Sequence, residues 1–498
     1  MYNSATLKIS LILLTIMVSM KPLTVKAQKI ETSADALDDF SLGYTQIIGF
    51  TESGFFILTS NNGYDVSGER VGFKSPKYKL GFAGNDLKLL WEKPIEPKVE
   101  NGIIRMISQA DDKIVLLSSS WNKSKSTLTI NSYYIDEKGN SNGDGTTMSN
   151  IEFQKEPYFF GSSSSLHKEA FAIYAAAEVE SGVQISVVVF DNEQRVLSQN
   201  NELIRQPSRN FSIEDFAVSD SGDVSFLGHR SEKVKALSAK REISWFAYLF
   251  RNDELLEKAI GRGLEMPHAH LAIDEFRNEA VFTGFYSDKQ SYIGAGILYG
   301  RMGLSEDTAI QIKNVTIDAS QNLRLKGARN NGESGGLAGF PIRKIIPRGD
   351  GGAAIIAESA YTTEYSYFDS FSQTYTRRLE YNFGDIVVFT LNNGGSLQWS
   401  ASVSKEQSSM DDGGIFSSYC MLIGSHRLDF LFSEPISRKA KVLRGTVSHQ
   451  GVPEKVIPIQ LPEGTLLLSE GGQQVSENSV VIPALIKRKL HLIRFSNP

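Results

Sequence analysis

The chain has 498 residues, of which 41% are hydrophobic, 10% aromatic and 22% charged, with a formal charge of −5. That balance excludes a disordered chain, a coiled coil and a collagen-like repeat, and it lacks the basic footprint of a nucleic-acid or anionic-membrane binder. Cys420 is the single cysteine, so an intrachain disulfide framework is excluded too.

The first element is an export signal. Lys8 supplies a positive start, Ile9 to Met20 is an uncharged and mostly apolar run, and Val25-Lys26-Ala27 offers small residues for cleavage before Gln28. The run falls short of the roughly 20 residues a membrane-spanning helix needs, although an uncleaved anchor is its rival. Residues 1–27 are thus expected to be a signal peptide. Residues 28–498 are expected to form one domain, secreted or periplasmic, with no membrane span.

From Tyr44 onward one unit repeats. A turn followed by an apolar strand reads ESGFFILTS from Glu52, DDKIVLLSS from Asp111, HKEAFAIYA from His167 and DSGDVSFLG from Asp220. It continues as RNEAVFTGF from Arg277, DGGAAIIAE from Asp350, HRLDFLFSE from His426 and SENSVVIPA from Ser476. Each unit then adds a strand, a tight turn and a strand, as in YKLGFAGNDLKLLW (Tyr78–Trp91) and VVFTLNNGGSLQW (Val387–Trp399). The Asn, Asp and Gly of these turns tolerate the positive φ of tight hairpins. Trp91 and Trp399 recur at one place in the fourth strand and predict packing between units.

Four-stranded units without linkers, often apolar on both strand faces, predict an all-β fold: a single β-propeller of four-stranded blades. Eight blades are favoured, with seven as the alternative. The eighth unit holds only three strands before the chain stops, while Lys29 to Tyr44 is unassigned. An open sheet edge is a liability, so an N-terminal strand is expected to complete the last blade.

In such a meander, with strands A to D running outward, B–C and D–A connections share one face. The long connections Asp318–Gly339, Tyr361–Phe383 and Lys405–Gly414 all fall there, which marks it as the ligand face; Asp136–Thr147, a C–D loop, is the exception. The Tyr361–Phe383 insert is expected to extend strands B and C as a protruding hairpin. Its rings Tyr361, Tyr365, Tyr367, Phe368, Phe371 and Tyr375, with Asp411 and Asp412 nearby, are the candidate ligand-binding residues; aromatic side chains give contact area at low entropy cost. The competing expectation folds these rings onto neighbouring blades.

Other motifs are weaker. Gly332-Glu333-Ser334-Gly335-Gly336 matches G-x-S-x-G but lies in a loose loop without the helix a nucleophile elbow needs. Asn140, Asn142, Asp144 and Gly145 resemble the start of a calcium loop, yet the twelfth position lacks its glutamate. His268 and His270 are expected on one strand face without a third metal ligand. Arg348-Gly349-Asp350 falls in a tight turn where these residues are expected anyway, and Arg324, Lys326 and Arg329 form a basic loop. No metal site, cofactor or nucleic-acid partner is expected.

The stretch Gly384–Trp399, followed by Lys405–Pro435 with its D-G-G loop, resembles uncharacterised secreted, propeller-like proteins of Bacteroidetes. The resemblance implies an exported propeller and brings no catalytic residues. Two functions follow from the sequence as expectations. The first is a non-enzymatic binding or scaffold module whose partner is a protein or a cell-surface glycan. The alternative is a carbohydrate-active enzyme with paired carboxylates at the channel mouth. Inward carboxylates within about 10 Å of each other favour the enzyme; an apolar plug favours the module.

Overall fold

The structure, a computed structural model, describes residues 29–37, 44–60, 63–64, 70–71, 77–99, 101–143, 145–206, 210–233, 241–251, 254–286, 296–305, 309–317, 340–369 and 373–497. The expected signal segment, Asp144, Phe371 and the 318–339 connection, with its Gly332–Gly336 motif and Arg324, Lys326 and Arg329, lie outside these residues.

Alternation along the strands decides the architecture. In the strand Ala170–Val179, Phe171 and Ile173 join an apolar cluster with the preceding unit. Their neighbours Ala170, Ala172 and Tyr174 join a different cluster with the following unit. Successive side chains leave a strand on opposite sides, so a strand apolar at every position needs a sheet packed against each face. Gly182–Asp191, buried at all of its positions, is the extreme case.

The result is eight antiparallel four-stranded sheets. The first contains Tyr44–Phe50, Gly54–Ser60, Tyr78–Gly84 and Leu89–Ile95. The sixth contains Ile342–Pro347, Ala353–Asp369, Thr374–Leu391 and Leu397–Val403. Neighbouring sheets share an apolar cluster at each of eight interfaces, including one between the eighth and the first. The ring therefore closes, and the fold is an eight-bladed β-propeller. Closure is three-plus-one: Lys29–Thr32 pairs antiparallel with Lys489–Ser496 as the outer strand of the eighth blade.

One inner strand departs from expectation. In the eighth blade it is split into Leu466–Leu467 and Gln473–Ser476, both paired with Ser479–Ile486. A 3₁₀ turn, Ser469–Gly471, lies between them. Gly471 permits the detour, because a Cβ there would lie 2.1 Å from the Thr45 carbonyl oxygen of the first blade.

The A–B turns tie consecutive blades together. His167 Nδ1 lies 2.5 Å from Asp220 Oδ2. The Asp220 N–H donates to Glu275 Oε1 at 3.0 Å, and Arg277 donates to the carbonyls of Arg348 (3.2 Å) and Gly349 (2.8 Å). These contacts run from the third blade to the sixth. Arg348 and Asp350 of the adhesion-like tripeptide pair with each other at 2.6 Å within such a turn.

The recurring tryptophans pack as expected. Trp91 donates its indole N–H to the Glu137 carbonyl (2.6 Å) and covers Gly139 in the C–D turn of the next blade. Trp399 covers Gly451 of the seventh blade in the same way, at φ +78°, where a Cβ would fall 2.4 Å from the indole. Gly451→Ala is therefore expected to cost about 2–4 kcal/mol, combining left-handed strain with overpacking. Gly143→Ala, at φ +79° with nothing within 4 Å, isolates the strain and is expected to cost about 1 kcal/mol. Urea midpoints of the two variants measure the difference.

Candidate functional site

The expected hairpin is present. Ala353–Asp369 and Thr374–Leu391 continue pairing well past the blade, out to Asp369 opposite Thr374. The connection expected as a loop over Lys405–Gly414 contributes a strand, Gln407–Met410, which pairs with Glu380–Phe383 and thickens the hairpin's base.

Register assigns the rings to faces. Tyr361, Tyr365 and Tyr367 alternate onto one side, opposite Asn382, Arg378 and Thr376. Phe368 and Tyr375 face each other on the other side, with ring centroids 5.3 Å apart. These five rings are 44% to 78% exposed, whereas Tyr381 and Phe383 at the base are buried. The outer rings therefore project, and only the base packs onto the blade. The tyrosine side carries polar groups as well. Tyr365 donates to Glu380 Oε2 (2.8 Å), Ser408 donates to Glu380 Oε1 (2.7 Å), and Arg378 lies 6.0 Å from the Tyr367 ring.

Asp411 and Asp412 brace this hairpin. Asp411 accepts the Leu379 N–H at 2.9 Å, while its own N–H donates to the Leu379 carbonyl. Asp412 Oδ1 accepts from Ser409 Oγ (2.7 Å) and from the Gly414 N–H (2.8 Å).

Beneath the hairpin sits an ionic cluster that the sequence did not single out. Glu358, with a fully buried side chain, lies 2.8 Å from the equally buried Lys405 Nζ. Its other oxygen accepts from Arg343 Nε (3.1 Å), Arg343 Nη2 (3.0 Å) and Ser418 Oγ (2.7 Å). Lys405 also donates to Gln407 Oε1 at 2.7 Å. Burial pushes the Glu358 carboxyl upward, but Lys405 and Arg343 outweigh it and hold it below its ordinary value. Arg343 continues across to Glu470 of the eighth blade, Nη1 to Oε1 3.6 Å. Burial raises the Glu470 carboxyl, with Arg343 opposing.

A bulge aims Arg343, and the same device recurs in other blades. Four innermost strands carry a register shift, leaving Ile48, Arg105, Glu214 and Arg343 as the extra residues; a bulge re-aims the side chain it inserts. Glu214 Oε1 lies 3.1 Å from His229 Nδ1, and that hydrogen bond holds its carboxyl below the ordinary range. Burial lowers His268, with Glu214 opposing. Among the described residues, the charged side chains Arg105, Glu214 and Arg343 are thus set on the innermost strands toward this face.

The two histidines do not share a strand face. The strand begins at His270, which pairs with Asp215, whereas His268 precedes it at φ +61°. Asn140 and Asn142 serve their own turn: the Asn140 N–H donates to Asp136, and Asn142 Oδ1 accepts the Tyr134 N–H. Among the described residues no group of three or more His, Cys, Asp or Glu is gathered for a metal ion, and no helix is long and apolar enough to cross a membrane. Cys420 is buried, and burial pushes its thiol up to about 12.

The chain matches no protein-family model and no curated protein. Solved structures do match. The β-propeller domain of the Trilobed protease from Pyrococcus furiosus aligns at TM-score 0.34 and 8% identity, over 83% of this chain and 95% of that one. Sqt1 from Chaetomium thermophilum, solved bound to the N-terminus of ribosomal protein L10, aligns at 0.42 and 12%, over 94% and 100%. Prolyl oligopeptidase B from Galerina marginata aligns at 0.38 and 7%, over 89% of this chain and 55% of that one, so the chain spans about half its length.

Proposed function

We propose that the chain is an exported, non-enzymatic binding module whose partner, a cell-surface glycan or a protein, docks on the Tyr361–Tyr375 hairpin. One observation carries this: five aromatic rings stand exposed on a hairpin whose base is locked by a third strand and a buried ion cluster. Rigid exposed rings bind with little ordering cost. On the tyrosine side, hydroxyl, carboxylate and guanidinium groups stand among the rings, a mixture suited to stacking on sugars and hydrogen-bonding their hydroxyls.

The combined Tyr361→Ala, Tyr365→Ala and Tyr367→Ala variant is expected to lose at least tenfold in glycan-array binding. Its thermal midpoint should stay near that of the unaltered chain, because the rings are exposed. A blank array combined with hairpin-dependent capture of a protein selects the protein partner. Equal binding by both forms removes the hairpin from the site.

The enzyme alternative draws on one feature, the single Arg343 guanidinium contacted by both Glu358 and Glu470. Against it, Glu358 is buried and its contacts are all internal. Glycoside hydrolysis needs both carboxyls on the substrate, so Glu470→Gln is expected to change no activity toward chromogenic glycosides.

A further inference from the structure

A cavity of about 380 Å³ lies between the outer strand of the first blade and the second blade, away from the hairpin. An incomplete ladder shapes it. The outer strand of the second blade, Thr146–Glu152, pairs with Thr127–Asp136 only as far as Ser132. Beyond that point the ladder gives way to the Ile135–Ser141 bridge, the Asp136 N–H to the Asn140 carbonyl (2.9 Å) and the Tyr134 N–H to Asn142 Oδ1 (3.0 Å), which hold the long C–D loop. The strand end carrying Tyr133 and Ile135 is left without a full outer partner.

The floor is apolar: Ile95, Tyr133 and Ile135 are buried, and Pro94 and Pro97 form the wall. The Tyr133 hydroxyl donates to the Glu96 carbonyl at 2.7 Å and fixes that wall. Two ammonium groups line the space. Lys98 Nζ stands 5.7 Å from the Tyr133 ring centroid, and Lys93 Nζ donates to the Gly139 carbonyl and lies 5.6 Å from the Trp91 ring. Among the described residues neither lysine forms an ion pair with a carboxylate. Asp136, the nearest candidate on the loop, is occupied by the N–H groups of Lys138 and Asn140 and by the Asn140 side-chain amide. Glu96 also lines the space, which leaves one net positive charge among the lining side chains. Burial, and then the charge of Lys98, draws Lys93 below its ordinary value, with Asp136 opposing. Two ammonium groups over an apolar floor thus face a single lining carboxylate, Glu96.

We propose that this cavity binds a small organic carboxylate, its charged end between Lys93 and Lys98 and its apolar body against Tyr133 and the two prolines. The volume is that of a small-molecule site. The site is independent of the hairpin, so the two proposals fail separately.

Calorimetric titration of the full chain with benzoate, and with benzyl alcohol as the neutral analogue, tests it. Benzoate is expected to bind at least tenfold more tightly than benzyl alcohol. The Lys93→Met/Lys98→Met variant should weaken benzoate at least tenfold. Lys98→Met alone, which removes no hydrogen bond among the described residues, should weaken it severalfold with an unchanged thermal midpoint and serves if the double variant unfolds. Absent benzoate binding, equal binding of the two probes, or unchanged affinity in Lys98→Met and the double variant would each overturn the proposal.

Discussion

Lys405→Met is expected to destabilise the fold by about 3–5 kcal/mol, the range for stripping one partner from a buried ion pair. The methionine fills much of the space but leaves Glu358 charged, fully buried and dependent on Arg343 and Ser418. Neutralising both, as in Glu358→Leu with Lys405→Met, should cost less than Lys405→Met alone, because no fully buried carboxylate is left short of its partner and Arg343, which is partly exposed, keeps Glu470. Denaturant midpoints of the single and double variants decide it; a Lys405→Met loss below about 1 kcal/mol would show the pair to be dispensable. The same cluster predicts acid sensitivity. Glu358 is held below its ordinary value of 4.5, so the unfolded chain binds its proton first as pH falls. Its contribution is complete above about pH 4.5 and is lost as pH drops through the lower folded value. Glu358→Gln should flatten this limb of the stability–pH curve.

Removing residues 29–37 is expected to cost about 2–5 kcal/mol and to promote self-association. Ile30 packs against the cluster between the seventh and eighth blades, and Leu37 against the one between the eighth and first; each such side chain contributes up to about 1.5–3 kcal/mol. Backbone bonds are lost as well, among them Ser33 N–H to the Leu492 carbonyl (2.9 Å) and Leu37 N–H to that of Leu490 (2.7 Å). Lys489–Ser496 then becomes an open edge, a template for another chain. Thermal unfolding and light scattering of the truncated chain, with and without a peptide spanning residues 28–38, provide the test. Recovery of the midpoint by the peptide is expected; a truncated chain that melts unchanged would show that the strand does not close the ring.

The ring was legible because its signals are local. Apolar runs between Gly-, Asn- and Asp-rich turns mark each blade, and the incomplete last unit together with the spare segment near Lys29 announced the closure. The hairpin was legible from the alternation of Tyr361, Tyr365 and Tyr367. The ionic groups on the innermost strands were not. Glu214 and Arg343 are aimed by bulges, and a bulge is a mismatch between two strands that neither strand displays alone. Glu470 enters through a break in an inner strand, for which Gly471-Gly472 between apolar runs was the only hint. Glu358 had a signal, a lone acid inside the buried run Ala353–Ala357 and its continuation, but its partner Lys405 lies 47 positions later, beyond any local pattern.

The turn-to-turn ties from His167 through Asp220 and Glu275 to Gly349 give the two ends of the toroid different freedom to vary. A residue inserted into any of these short turns shifts a donor away from its acceptor in the adjoining blade. An insertion in a B–C connection on the opposite end touches none of them. Relatives of this scaffold should therefore keep a fixed plinth and diversify their specificity almost wholly at the other rim.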